Sequence, residues 1–330
     1  MAVTDRAHTA SPTGQPGQPG QPGRPGQSGK HERSERPGEA GTKGAAGLGV
    51  ALALVATVVW SGSFVATRGM ADTVPPVQAV FWRWVIAAVA VAPFAARQAW
   101  AQRALLRAHL GYVCLATLFG VTLYNTLVHQ AGLTTSASNM GMIMAASPVI
   151  MALYARLGGE RLGARRVFGM LLAALGVLLL VGDGSLGFEF TAGDLWMFGA
   201  ALSFATYSAL LKRRPAELGG LAFLLATFVL GALMLAPAYA VSLSVQGGFA
   251  LTPAAAGMLF YVGVMSSAVA FFAWNKAVAV IGAARAGVVY YLQPVCVAGL
   301  GLLLLGERTG PAQLLCMALI LGGVALGARR

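Results

Sequence analysis

Acidic side chains are scarce in this sequence: 11 Asp and Glu stand against 23 Lys and Arg in 330 residues, and only 10% of the chain is charged. Soluble domains carry about 25% charged residues, so the shortage of charge excludes an ordinary soluble protein. Cysteine is nearly absent as well. Cys114, Cys296 and Cys316 each fall within an apolar stretch, without CxxC spacing or neighbouring His, which argues against a disulfide framework and a zinc site. His, Asp, Glu and Cys form no cluster near an apolar run, so there are no catalytic or metal-ligating candidates, an enzyme is not expected, and no cofactor is implied. Residues 1–46 also lack an apolar run of signal-peptide length, and this segment is expected to stay on the side where it is made.

Apolar surface, by contrast, is abundant: 57% of residues are hydrophobic and the mean hydropathy is +0.70. A helix needs about 20 predominantly apolar residues to span a bilayer. After residue 46 the sequence offers ten such runs, at 47–67, 76–96, 110–128, 135–155, 166–182, 193–211, 219–241, 254–274, 286–305 and 311–328. The expected fold is therefore an all-α membrane protein of ten transmembrane helices in a lipid bilayer. The segment ahead of them has Gly at every third position from Gly14 to Gly29, with Pro16, Pro19, Pro22 and Pro25 between. So short a collagen-like rhythm cannot hold a triple helix by itself, and residues 1–46 read as a disordered Gly/Pro/Gln-rich cytoplasmic tail.

The formal charge of +12 invites a nucleic-acid reading, which the positions of the cations remove. Arg97, Arg103 and Arg107, then Arg156, Arg161, Arg165 and Arg166, then Lys212, Arg213 and Arg214, then Lys276 and Arg285 fall in alternate loops between runs, and the tail and the C-terminal Arg329–Arg330 hold the rest. All but Arg68, Arg83 and Arg308 of the 23 lie where a ten-span chain with both termini in the cytoplasm places its inner segments. No nucleic-acid partner is expected. Arg outnumbers Lys and Ala is abundant, a composition that fits a GC-rich bacterial source and the inner cell membrane.

The sequence also repeats itself. "SPVIMALYARLGGERLGARRVFGMLLAALGVLLL", around Pro148 and Glu160, has a partner in "QPVCVAGLGLLLLGERTGPAQLLCMALILGGVAL", around Pro294 and Glu307. "VVWSGSFVATR", ending at Arg68, is matched more weakly by "LSFATYSALLKR", ending at Arg213. Five spans per copy is an odd number, so the copies, 47–185 and 186–330, must cross the bilayer in opposite senses. Inverted repeats of this kind place a substrate site near the midplane between the halves.

With "VVWSGSFVATR", Arg83, "ASPVIMALYARLGGERLG", "GDLWMFGAALSFATYSALLKRR" and "LQPVCVAGLGLLLLGERTG" in this order, the sequence resembles the EamA group of drug/metabolite transporters over everything after the tail. The resemblance implies a ten-helix secondary transporter for small metabolites, amino-acid-like or amphipathic compounds, often an exporter. No second-copy counterpart of Arg83 is evident, so a role for that residue is not mirrored. The competing reading is a membrane sensor or scaffold that moves nothing.

Polar residues at membrane depth are costly and usually face a cavity or a partner helix. Arg83 either snorkels to the surface between Trp82 and Trp84 or lines the cavity as a cation for an anionic or zwitterionic substrate. Tyr124, Asn125 and His129 on the third span, with Phe271, Trp274 and Asn275 on the eighth, suit an amphipathic molecule or, equally, helix-to-helix bonding. Trp60 and Tyr207 form a weaker pair, and Asn139, Tyr291 and Gln293 complete the substrate-path candidates. Pro148 and Pro294 are hinge candidates, since each frees a backbone carbonyl. Every acid is placed in the tail or a loop, leaving no buried carboxylate and pointing to facilitated transport down a gradient or to coupling through a site the sequence does not reveal. Glu160 and Glu307 are expected on opposite faces, pairing locally with Arg161 and Arg308. Gly169, Gly176, Gly322, Gly323 and Gly327 read as close packing within the bundle or at a homodimer contact.

Overall fold

The computed structural model describes residues 37–145, 147–157, 163–181, 191–211, 213–281, 289–290 and 292–328, and all of their regular structure is helical. Helices α1 (Pro37–Gly69) and α2 (Pro76–Ala101) are followed by the short α3 (Arg103–Ala108). The next stretch is α4 (Leu110–Thr117), a π-helical segment π1 (Leu118–Leu123) and α5 (Tyr124–Ala131) in one continuous rod. Then come α6 (Ala137–Met144), α7 (Ser147–Leu157), α8 (Ala164–Val181), α9 (Ala192–Leu211) and α10 (Gly220–Gln246). A second rod joins α11 (Pro253–Phe260), π2 (Tyr261–Val269) and α12 (Ala270–Ile281), and α13 (Gln293–Leu305) and α14 (Pro311–Ala328) follow.

Five stretches are long and apolar enough to cross a membrane: Ala46–Gly69, Pro76–Ala101, Leu110–Ala131, Gly220–Gln246 and Pro253–Ala277. Shorter apolar helices lie at Ala137–Met151, Val167–Gly176, Gln293–Leu305 and Pro311–Gly323. Their exterior is what lipid requires, with Phe94, Val245 and Leu303 each more than three-quarters exposed. Local chemistry sets the helix starts. Ser136 and Thr252 accept the backbone N–H groups of Asn139 and Ala255 as N-caps, and Pro76 and Pro253 stand where a missing N–H costs nothing.

Two sequence expectations change here. Residues 37–46 are helical and not part of an irregular tail, with Pro37 in the first turn, where its missing N–H costs nothing; residues 1–36 lie outside the described residues. Pro148 and Pro294 stand in the first turns of α7 and α13, so neither kinks a helix from within. The interruption comes just before each of them. The prolines inside helices are Pro93 and Pro237.

The principal packing partners join the two sequence halves: α1 with α12 and α13, α2 with α10, α5 with α9, and α8 with α14, while α9 also contacts α7 within reach of the first half's end. Exchanging the halves turns α1·α12 into α9·α5 and α1·α13 into α9·α7, and returns the α2·α10 and α8·α14 pairs to themselves. The contact pattern thus has the two-fold character that a duplicated chain generates. In α8·α14 the backbones come close: a Cβ on Gly323 would collide with backbone atoms of Gly169 and Ala173, and one on Gly176 would lie 3.0 Å from the Cys316 carbonyl oxygen. These glycines therefore serve packing inside the bundle, whereas Gly322 has open space beside it.

Candidate functional site

Arg83 enters from the seventh residue beyond the start of α2 and is buried, with 5% of its surface exposed. Its Nε donates to Ser267 Oγ at 3.1 Å, its Nη1 to Ser63 Oγ at 3.3 Å and its Nη2 to Ser266 Oγ at 3.2 Å. The guanidinium carbon lies 5.2 Å from the ring centre of Trp84. Five N–H groups are available on a guanidinium. Three serines engage three of them, which leaves one on each terminal nitrogen as a two-pronged donor. Among the described residues no carboxylate pairs with Arg83. The snorkelling alternative fails on this geometry: Arg83 points inward, and of its two flanking rings Trp82 is 37% exposed while Trp84 is 1% exposed.

Further polar groups of this interior come from π2 itself and from α5, which continues directly from π1. Winding by i→i+5 widens a turn and upsets the usual carbonyl pairing. Asn125 Nδ2 donates to Val121 O at 3.0 Å and Gly120 O at 3.5 Å, and Ser267 Oγ donates to Val262 O at 2.8 Å, five residues back. Each side chain is fixed by its own helix with its remaining polar atoms turned to the interior. Among the described residues Asn125 Oδ1 finds no partner, and neither do His129 Nε2, Trp84 Nε1 and Gln293 Oε1, all buried. Because a carbonyl can only accept, the 2.9 Å contact of His129 Nδ1 with Asn125 O puts the proton on Nδ1 and leaves Nε2 an acceptor. Tyr124 and His129 lie within Coulombic reach of Arg83.

On the side of Arg83 toward residues 277–281 a ring cluster closes the interior. Trp60 lies 5.4 Å from both Phe271 and Trp274 and 5.9 Å from Tyr290, and Trp274 lies 5.7 Å from Tyr290, centre to centre. Trp60 Nε1 donates to Ser266 O at 2.9 Å, which ties the cluster to the serines that hold Arg83. Ser61 Oγ donates to the Gln293 carbonyl at 3.3 Å.

Of the residues singled out from sequence, Trp60, Arg83, Tyr124, Asn125, Trp274 and Gln293 therefore occupy one interior region. Tyr207 is packed over Gly120, away from it, and Asn275 is exposed and does not join it. Tyr291 falls outside the described residues. Asn139 is at the end of the bundle that carries Arg68, where its Oδ1 accepts from Gln313 Nε2 at 3.0 Å. Sequence reasoning missed Ser63, Ser266 and Ser267, though the polar dipeptides in apolar runs were a usable signal. Trp84, an interfacial anchor in the snorkelling alternative alone, is buried against Phe228 instead.

The acids also need correction. Asp194 is buried, 3% exposed, and lies in the first turn of α9 and not in a loop. Its Oδ1 accepts from Thr135 Oγ1 at 2.7 Å and its Oδ2 from Thr191 Oγ1 at 2.7 Å, a capping box extended to a neighbouring segment. The argument for uncoupled transport from missing buried acids no longer holds. Glu307 pairs with Arg68, 3.6 Å away, rather than with Arg308; Glu160 and Arg161 are outside the described residues. An open, almost wholly apolar groove of about 560 Å3 lies between α2, α10 and the approach to α11, lined by Gln78, Trp82, Tyr239 and Phe249 among others, and Arg83 takes no part in it.

A helical bundle with a lipid-compatible exterior, an internally held guanidinium and buried polar atoms without partners defines a multi-pass membrane protein built around a polar interior. Residues 47–182 and 191–328 each match the EamA-like transporter family, and the chain belongs to that family. Its relatives include an uncharacterized transporter of Archaeoglobus fulgidus, 25% identical over 76% of this chain and 87% of that protein. Another, described as a probable terminal-alkyne amino-acid exporter of Streptantibioticus cattleyicolor, is 28% identical over 84% of this chain and 93% of that protein. A crystal structure with 23% identity, a TM-score of 0.56 and coverage of 84% of this chain and 95% of its own has the same fold.

Proposed function

We propose that the protein is a secondary transporter that exports a small carboxylate-bearing, amino-acid-like or amphipathic metabolite across the cell membrane by alternating access. Its ten spans form two inverted five-helix halves, 47–185 and 186–330, with both termini in the cytoplasm. The observation that carries this reading is the Arg83 guanidinium, buried without a carboxylate and cradled by Ser63 from the first half and Ser266 and Ser267 from the second. An unpaired buried charge costs on the order of several kcal/mol, so a protein that keeps one has a use for it. The two free N–H groups match a carboxylate in bidentate fashion, with the Trp84 indole N–H close by. Asn125 Oδ1, His129 Nε2 and Gln293 Oε1 are acceptors suited to an ammonium, and the Trp60 ring cluster offers apolar surface to the remainder of the molecule. The relative described as an amino-acid exporter points to the same chemistry.

The test compares metabolites released by cells with and without the protein, then repeats the comparison with Arg83→Ala. Export of a carboxylate lost in the variant supports the reading, and full export in the variant overturns it. Reporter fusions after residues 160 and 307 are expected on opposite faces of the membrane; signals on the same face would refute the inverted arrangement.

A further inference from the structure

The end of the bundle that carries Arg68 is closed by contacts of Glu307 and Gln313 with the first half, joined by one bond inside that half. Gly306 ends α13 with φ +68°, a left-handed turn that glycine adopts without strain, and the Glu307 N–H then folds back to the Gly301 carbonyl at 3.2 Å. That turn aims the Glu307 carboxylate at the first half. One oxygen lies 3.6 Å from Arg68 Nε, and the other accepts the Ala137 N–H at 3.0 Å, at the start of α6. Arg68 Nη1 in turn donates to the Gly132 carbonyl at 3.1 Å, and Gln313 Nε2 to Asn139 Oδ1 at 3.0 Å. Two second-half side chains thus hold the end of α1, the 132–136 connection and α6 together.

This closure lies directly over the polar interior. His129 is three residues before Gly132 at the end of the same rod, and Ser138 Oγ, buried and without a partner among the described residues, lies with the Glu307 carboxylate beside Gly301. While these bonds persist, α1, the connection after α5 and α6 are tied to the segment that follows α13 and to α14 at this face. The pair is weak enough to open, since its side chains are 33% and 19% exposed and water competes for both charges.

We infer that Arg68 and Glu307 are a latch that keeps the site shut on the outer face and is released in each transport cycle. This rests on the alternating-access reading and on the topology proposed with it. The experiment places Ser138→Cys in a protein with Cys114, Cys296 and Cys316 replaced by Ala, in right-side-out vesicles. A membrane-impermeant sulfonated methanethiosulfonate is added outside, and the rate of modification at residue 138 is measured. Arg68→Gln and Glu307→Gln are each expected to raise the rate roughly fivefold, and the double variant no further, because the two changes remove one interaction. Glu307→Gln keeps an oxygen for the Ala137 N–H, and Arg68→Lys, which keeps the charge facing Glu307 but not the second bond to Gly132, is expected to fall between the parent and Arg68→Gln. Unchanged rates in both Gln variants, or effects that multiply in the double variant, overturn the latch. The measurement needs no substrate, so a wrong cargo for Arg83 leaves its outcome untouched.

Discussion

His129 donates through Nδ1 to the carbonyl oxygen of Asn125, 2.9 Å away and one turn earlier on the same rod, so the protein fixes the tautomer of a ring whose other nitrogen has no partner. Substitution separates the acceptor from the shape. His129→Gln can present an oxygen where Nε2 stood, and His129→Phe cannot. A hydrogen bond to a charged group contributes about 1.5–3 kcal/mol. Export of an ammonium-bearing substrate is expected to fall roughly tenfold or more in His129→Phe and less in His129→Gln, with a carboxylate lacking the amine little affected. Equal losses for both substrates, measured as initial rates in vesicles, would remove His129 from the ammonium site.

The serine cradle makes a second prediction. Arg83→Lys keeps a positive charge but offers one ammonium in place of a planar fork, so it cannot satisfy Ser63, Ser266 and Ser267 and still grip a carboxylate with two parallel bonds. Carboxylate export is expected to fall at least about tenfold, close to the loss in Arg83→Ala. A Lys variant that exports at the parental rate would show that charge alone suffices.

Five of the apolar runs, at 47–67, 76–96, 110–128, 219–241 and 254–274, were legible because span length is a local property, and each falls on a helical stretch long and apolar enough to cross a membrane. Arg83 was legible for a related reason, a lone cation in an apolar run. Its partners were not. Ser63 and Ser266 are separated from it by 20 and 183 residues, and packing of π2 against both α1 and α2 makes them neighbours. Asp194 misled because an acid at the very start of the 193–211 run reads as a loop residue, whereas its place in the first turn of α9 and its bond from Thr135 are facts of the fold. Glu307 sits next to Arg308 in sequence but faces Arg68, because the left-handed turn at Gly306 redirects it.

Gly323 supplies a stability prediction. A side chain there meets backbone of Gly169 and Ala173, which cannot rotate away. Gly323→Leu is expected to force α8 and α14 apart and cost about 1–3 kcal/mol or more, read as a lower melting temperature in detergent. Gly322→Leu, with open space beside it, is expected to melt near the parent. The reverse order would contradict the packing.

At Asp194 the carboxylate accepts from two threonine hydroxyls, and Asp194→Asn replaces one of its acceptor oxygens with a donor. One hydroxyl bond is lost and α9 begins less securely, an expected cost of about 1–3 kcal/mol for the partner left unsatisfied. The variant is expected to melt earlier while retaining export per folded molecule. Loss of export without loss of melting temperature would move Asp194 from structure to transport.

The wide turns at Leu118–Leu123 and Tyr261–Val269 occupy matching places in the two halves, and each contains or adjoins a residue that touches or faces Arg83. A rod wound this way carries slack: tightening it to ordinary pitch rotates everything beyond it by a fraction of a turn, with little backbone bonding lost. Asn125 and Ser267, which fill the loosened carbonyls, travel with that rotation. Each half therefore owns a means of turning its polar atoms toward or away from the cargo without unfolding a helix or bending at a proline.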